Sequence, residues 1–245
     1  MKKNVKLTIE YDGTNYHGWQ VQKNDPTVQK EIETALCTMT GKKLNLRGSG
    51  RTDAGVHALG QVANFTCDTT LSPDNFLYGL NSLTPGDITI RDCCFVHAGF
   101  HARFSAKSKT YRYRILNRKT PSAVGRHYEW FIPQNLDVGA MKEASQYITG
   151  THDFKAFEGT GSPRAHTVRS VMEADVECRD ERIVFRITAD GFLRYMVRNL
   201  TGTLVNVGRS RMTPLDVKTI LDSKDRSLAG PTSPPHGLFL THVEY

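Results

Sequence analysis

Between Gly48 and Ala58 the chain reads Gly-Ser-Gly-Arg-Thr-Asp-Ala-Gly-Val-His-Ala. One cation (Arg51), one carboxylate (Asp53) and one imidazole (His57) stand there among residues with almost no side chain. Gly48, Gly50 and Gly55 admit backbone angles that other residues avoid, and with Ala54 and Ala58 they let a ligand approach closely. An ordinary loop with a turn-forming aspartate has a similar composition. Small residues flanking a single acid are also what a pocket wall needs, which makes the stretch a candidate site. A lone acid narrows the chemistry. Glycoside hydrolysis normally uses two carboxylates, and Asp68 and Asp74 lie beyond a strand-like segment. Neither the His/Cys ligand pattern of zinc-dependent base deamination nor the Gly-Lys-Ser/Thr of a P-loop occurs. Cleavage of a glycosidic bond whose leaving group accommodates negative charge, as uracil does, can proceed with one carboxylate.

The formal net charge is +7, a balance that favours polyanions through counterion release. The most basic part of the chain carries Arg103, Lys107, Lys109, Arg112, Arg114, Arg118, Lys119 and Arg126, with Phe104, Tyr111 and Tyr113 interleaved. Along a strand, Tyr111, Tyr113 and Ile115 share one face while Arg112 and Arg114 share the other. That pattern fits a half-buried strand with a solvated cationic face, or a phosphate-tracking surface beside rings on which a base can stack. Apolar (38%) and charged (23%) fractions are ordinary for a soluble globular chain. No membrane span and no leader segment is expected. Five cysteines without a Cys-x-x-Cys pair fit reduced thiols in a cytoplasmic protein. His97 and His101 have ligand-like spacing but no nearby acid or thiol, so no metal site is expected.

The elements that must position the site follow from periodicity. Val5–Tyr11 alternates as a half-buried strand and ends at Asp12-Gly13. A polar loop with Tyr16, His17 and Trp19 precedes a helix capped at Thr27, with Val28, Ile32, Ala35, Leu36 and Met39 on one stripe and Gly41 as its stop. Leu44–Arg47 and Gln61–Cys67 read as strands on either side of the site loop. A helix opens at Ser72-Pro73, with Phe76, Leu77, Leu80 and Leu83 inward, and Ile88–Val96 is a strand. The order then recurs: strand Lys109–Leu116, helix Asp137–Ile148, a hairpin of Val168–Cys178 and Ile183–Ala189 around Arg179-Asp180-Glu181, helix Leu193–Val207, an extra helix from Thr213-Pro214, and a closing strand Gly237–Tyr245. Two β-α-β-β-α-β units of split-βαβ type imply an α+β fold with mixed or antiparallel sheets and a cleft where the halves meet. The halves are expected at residues 1–104 and 105–245.

Two features stay open at this level. Arg198 falls roughly 150° from the Leu193/Leu200/Leu204 stripe at 100° per residue, which by itself places it toward solvent. If that face lines the cleft, Arg198 and Arg194, one turn apart, meet a carboxylate or phosphates instead. The loop 158–169, with Arg164, either closes over a bound polyanion or simply connects two elements.

Gly50-Arg-Thr-Asp-Ala-Gly-Val-His-Ala58 resembles the catalytic motif of the TruA-type tRNA pseudouridine synthases. The resemblance continues through Tyr11-Asp-Gly-Thr-Asn-Tyr-His-Gly-Trp-Gln20, Lys109-Thr-Tyr-Arg-Tyr113, Gly150-Thr-His-Asp-Phe154, Phe192-Leu-Arg-Tyr-Met-Val-Arg-Asn199 and Gly237-Leu-Phe-Leu240. Only Pro231-Thr-Ser-Pro-Pro-His236 is more proline-rich than the pattern. The resemblance implies isomerisation of uridine to pseudouridine at positions 38–40 of the tRNA anticodon stem-loop, by a cytoplasmic homodimer without metal or cofactor. It implies Asp53 as the essential carboxylate, attacking C1′, adding to the uracil ring or abstracting a ribose proton. Arg198 is then its cationic partner, Tyr111 the ring stacked on the target base, Leu238 an apolar wall, and Arg51 the group that fills the vacated stack or holds the flipped phosphate. Lys109, Arg112, Arg114, Arg194 and Arg164 are expected on the RNA backbone. A non-catalytic RNA-binding module would carry an aromatic-rich Lys/Arg-Gly-Phe/Tyr motif, which does not occur, and a nucleoside hydrolase would need no basic surface.

Overall fold

A computed structural model describes residues 2–159, 161 and 166–245. The chain forms two compact units, Met1–Lys107 with Phe239–Tyr245, and Ser108–Leu238. In the first, the order is β1 (Lys2–Tyr11), α1 (Val28–Thr40), β2 (Arg47–Gly48), β3 (His57–Asp68), α2 (Pro73–Leu83) and β4 (Ile88–Val96). Strand β1 lies between β3 and β4, antiparallel to both. Its alternation places Val5, Leu7, Ile9 and Tyr11 in the core, each apolar side chain there contributing about 1.5–3 kcal/mol. Helix α1 buries Val28, Ile32, Ala35 and Leu36, and Gly41 stops it at φ 66. Helix α2 starts at a reciprocal Ser72/Asn75 capping box and buries Phe76 and Leu80. Leu77 is only half-buried and Leu83 is 45% exposed, so the inward stripe is shorter than its spacing suggests. The buried Asn4 and Asn64 amides bond to each other at 2.9 Å and to the backbone of Phe100 and Ala102, which ties the segment after β4 to the sheet.

The second unit runs β5 (Ser108–Asn117), β6 (Trp130–Ile132), α3 (Val138–Gln146), β7 (Gly150–Asp153), β8 (Val168–Arg179), β9 (Arg182–Ala189), α4 (Met196–Gly208) and α5 (Pro214–Ser223). β5, β9, β8 and β7 pair in that order, all antiparallel, and β6 adds to β5 in parallel. The β8–β9 hairpin turns at Asp180, whose φ is 55. One face of this sheet buries Tyr113, Ile115, Phe185, Ile187 and Val176, and α3 packs on β8 and α4 on α3. The architecture is α+β with parallel and antiparallel pairs.

The closing strand β10 (Leu238–Glu244) departs from the expected division. Its Phe239 and Leu240 pair in parallel with His57 and Ala58 of β3, so the chain from Phe239 belongs to the first unit, and the first boundary falls at Lys107. Gly60 permits the approach: a Cβ there would stand 2.6 Å from Thr241 O. β3 starts at His57, earlier than the expected Gln61, because Ala58 also pairs with Tyr11.

Candidate active site

Asp53 stands half-buried on the loop joining β2 to β3, and that loop is gripped from two sides. On the β3 side, Ser49 N–H donates to Val62 O at 2.7 Å, Ser49 Oγ to Gln61 Oε1 at 2.6 Å, and Gln61 Nε2 to Gly50 O at 3.0 Å. On the other side lies the segment after β1. Trp19 N–H donates to Thr52 O at 3.1 Å and Gly55 N–H to Tyr16 O at 3.2 Å. The contact is so close that only glycine fits: a Cβ on Gly18 would stand 2.4 Å from Thr52 O and one on Gly13 would stand 2.1 Å from Val56 O. The buried hydroxyls of Tyr11 and Thr52 share a hydrogen bond of 2.7 Å. Burial pushes the Tyr11 phenol above its ordinary range, so it stays protonated. Gly55, at φ 75, turns the backbone two residues after the acid. The carboxylate therefore rides on a backbone that cannot shift without a clash or a broken bond.

His57 belongs to this scaffold. Its ring is 1% exposed and stacked on Phe239 at 4.7 Å, and its Nδ1 accepts from Gly13 N–H at 3.0 Å. Asp12 Oδ1 lies 3.0 Å from the same nitrogen; an unprotonated Nδ1 takes the Gly13 N–H, whereas a protonated one donates to the carboxylate. Arg51 is exposed.

In the second unit, Tyr111 is 7% exposed and meets Phe192 edge-on at 4.9 Å, a favourable aromatic geometry. Lys109 shares its face by strand alternation. Arg112 and Arg114 lie on the opposite face, so β5 does not bring them to Tyr111. That face is also of mixed sign. Arg186, the register partner of Arg112, is paired with Glu173, and Arg182 Nε donates to Glu129 Oε2 at 2.9 Å. Burial lowers the Arg114 pKa, and Glu129 nearby opposes the shift. Tyr113 is fully buried and its hydroxyl donates to Pro234 O at 2.7 Å. Gly237 packs against that ring, where a Cβ would meet Tyr113 Cε1 at 2.7 Å, and the next residue, Leu238, is buried.

Arg198, which helical phase leaves open between solvent and a cleft, is half-buried. Helix α4 is buried almost all round, and Arg198 and Asn206 are its only residues outside that class. The segment before Gly237 covers the side that periodicity leaves polar. Ser233 N–H donates to Arg198 O at 3.1 Å, and Arg198 Nε donates to Ser233 O at 2.8 Å. Arg194 is not one helical turn away, because α4 begins only at Met196, after Tyr195 in the left-handed region at φ 61. The two arginines instead share a ring: their guanidinium carbons lie 4.7 Å (Arg194) and 5.0 Å (Arg198) from the Tyr195 centroid. Arg164 lies outside the described residues, as does most of the middle of its loop.

The ligand-like histidine pair packs on neighbours. His97 meets Phe100 edge-on, and His101 lies against Phe104. Among the described residues no group of three or more His, Cys, Asp or Glu side chains could hold a metal, and no helix is long and apolar enough to cross a membrane. Sequence reasoning missed the cradle of Tyr11, Gly13 and Gly18 and the Tyr195 ring. The two glycines five residues apart in an aromatic loop were the available signal for the first.

The sequence profile described as tRNA pseudouridine synthase matches residues 7–105 and 144–245. Full-length relatives are of the same family. The chain is 47% identical over 243 residues to tRNA pseudouridine synthase A of Acetivibrio thermocellus, covering 99% of this chain and 100% of the relative. The same figures hold for tRNA pseudouridine synthase A of Caldicellulosiruptor bescii. Identity is 44% to tRNA pseudouridine synthase A 2 of Clostridium perfringens, with 99% and 100% covered. With a clamped loop carrying a single acid and matches from end to end, the chain belongs to the tRNA pseudouridine synthase family of isomerases.

Proposed function

We propose that this protein converts uridine to pseudouridine at positions 38–40 of the tRNA anticodon stem-loop, with Asp53 as its catalytic carboxylate. The observation that carries the reading is the double clamp on the Asp53 loop, in a chain of this family. The N1–C1′ bond breaks, the uracil turns within the pocket, C5 bonds to C1′, the C5 hydrogen leaves as a proton, and N1 ends protonated. Atoms balance without an external reactant. Every role open to Asp53 (attack on C1′, addition to the ring, removal of a ribose proton) needs it ionised. Closing RNA over a carboxylate disfavours its charged form, and a cation beside it opposes that. Arg198 is the residue we assign to this role.

Tyr111 stacks on the target base, which must first leave its own stack at a cost of a few kcal/mol. Backbone contacts offset that cost. Lys109, on the same strand face, and Arg51 and Arg194, both exposed, are suited to phosphates. Arg112 and Arg114 would reach only RNA that runs along the opposite face. Leu238 keeps water from C1′, so the detached base rejoins the sugar instead of being lost to hydrolysis. The enzyme acts as a cytoplasmic homodimer in this reading.

Tritium release from C5-labelled uridine in tRNA, with sequencing of chemically treated product to locate the modification, tests the assignment. Release with pseudouridine at positions 38–40 is expected. Binding without release would leave a non-catalytic RNA-binding protein, and free uracil in the supernatant would leave a hydrolase.

A further inference from the structure

The geometry points to Tyr195 as a positioning residue that holds the Arg198 guanidinium in place through its ring, an inference that rests on the role given to Arg198 above. Tyr195 occupies the cap of α4 at φ 61, a conformation that residues other than glycine and asparagine rarely adopt. The surroundings enforce it. Gly159 N–H donates to Arg194 O at 2.8 Å, and a Cβ on Gly159 would lie 2.3 Å from Tyr195 Cδ2. Only glycine leaves room for the ring where it stands.

The left-handed turn brings the ring under the Arg198 guanidinium, 5.0 Å from its central carbon, where the ring face attracts a cation. The second hold is on Nε. Its acceptor, Ser233 O at 2.8 Å, belongs to a strap that is itself anchored to α4. Asn199 takes hydrogen bonds from Thr232 Oγ1 at 2.6 Å and Arg226 Nη2 at 3.1 Å while donating to Phe157 O at 2.8 Å. A Cβ on Gly202 would stand 1.7 Å from Pro231 O, so strap and helix lie backbone against backbone. The strap holds the guanidinium at Nε, and the ring lies against its central carbon. A long, flexible side chain is thereby ordered before substrate arrives, as orientation-dependent catalysis requires.

Two substitutions separate ring from backbone. Tyr195→Asn suits the left-handed cap but deletes the ring, whereas Tyr195→Phe keeps the ring and loses only the hydroxyl that Arg194 Nη2 bonds at 3.0 Å. In steady-state tritium release from tRNA, Tyr195→Phe should keep kcat within about threefold, and Tyr195→Asn should lower it about 30-fold, with KM for tRNA rising by less than the fall in kcat because Arg194 loses the same ring. The inference falls if Tyr195→Asn keeps wild-type kcat, if its loss is confined to KM, or if Tyr195→Phe loses as much. Should Tyr195→Asn fail to fold, as judged by its thermal transition, Gly159→Ala displaces the same ring and must show the same kcat loss. Asp53→Asn is measured alongside. Turnover there would overturn the catalytic assignment itself, whereas a dead Asp53→Asn beside a fully active Tyr195→Asn would overturn only the positioning role.

Discussion

Gly18→Ala tests whether the segment after β1 sets the position of the acid. The new methyl carbon would stand 2.4 Å from Thr52 O and 3.1 Å from Asp53 C, both backbone atoms, at a φ of +87. Returning Thr52 O to ordinary contact distance requires the loop to retreat by about 1 Å, a displacement that costs about a hundredfold when it moves a reacting group. Positive φ adds about 1–2 kcal/mol of instability, which for a chain of this size lowers Tm by roughly 2–8 °C. Gly41→Ala supplies the control, since it carries the same kind of backbone cost at φ +66 with nothing within 4 Å of the new atom. In single-turnover tritium release, Gly18→Ala should fall about a hundredfold with tRNA affinity within threefold, and Gly41→Ala should lose stability but not rate. A folded Gly18→Ala enzyme with wild-type turnover would refute the cradle.

Tyr111→Phe keeps the ring that meets Phe192, so it should retain at least a tenth of wild-type turnover if stacking is its role. A loss as deep as that of Asp53→Asn would assign the work to the hydroxyl. Asp153→Asn should reveal a pH-dependent stability difference. A hydrogen bond from Thr167, and then Lys224 Nζ at 3.1 Å, hold the Asp153 carboxyl below the usual carboxylate range. A depressed folded pKa stabilises above the ordinary value and loses that contribution as pH falls through the folded one. The variant should therefore melt a few degrees below wild type at pH 7, with the gap closing below about pH 4. Equal melting temperatures at pH 7 would show that the charge on Asp153 contributes nothing.

The strongly periodic parts of the fold were legible before the structure. Helix α1 with its Gly41 stop, the Ser72 cap of α2, and the β8–β9 hairpin all follow from local spacing that tertiary packing leaves intact. Less was legible where long-range contacts decide. Nothing local marks β10 as returning to β3, because a strand's partner is not written in its own alternation. The short strands β6 and β7 offer too few residues to show a period. Small neighbours around one acid make Asp53 a candidate in the sequence, but the contacts that hold its loop come from Gly13 and Gly18, far earlier in the chain, whose value is the side chain they lack. Helical phase left Arg198 open between solvent and a cleft because it registers only a polar face; Ser233 and its strap, which lie against that residue, are more than thirty residues away in sequence. Arg112 and Arg114 were seen correctly as opposite Tyr111. Their carboxylate surroundings, Glu129 in the loop before β6 and Glu173 on β8, come from segments that only folding assembles.

Asp53→Asn, assayed for C5 tritium release under single-turnover conditions with tRNA saturating, addresses the central claim directly. The account expects tRNA affinity within about threefold of wild type and release reduced at least 10⁴-fold, the loss of about 5.5 kcal/mol of transition-state stabilisation. Measurable turnover by a folded, tRNA-bound Asp53→Asn enzyme would contradict it.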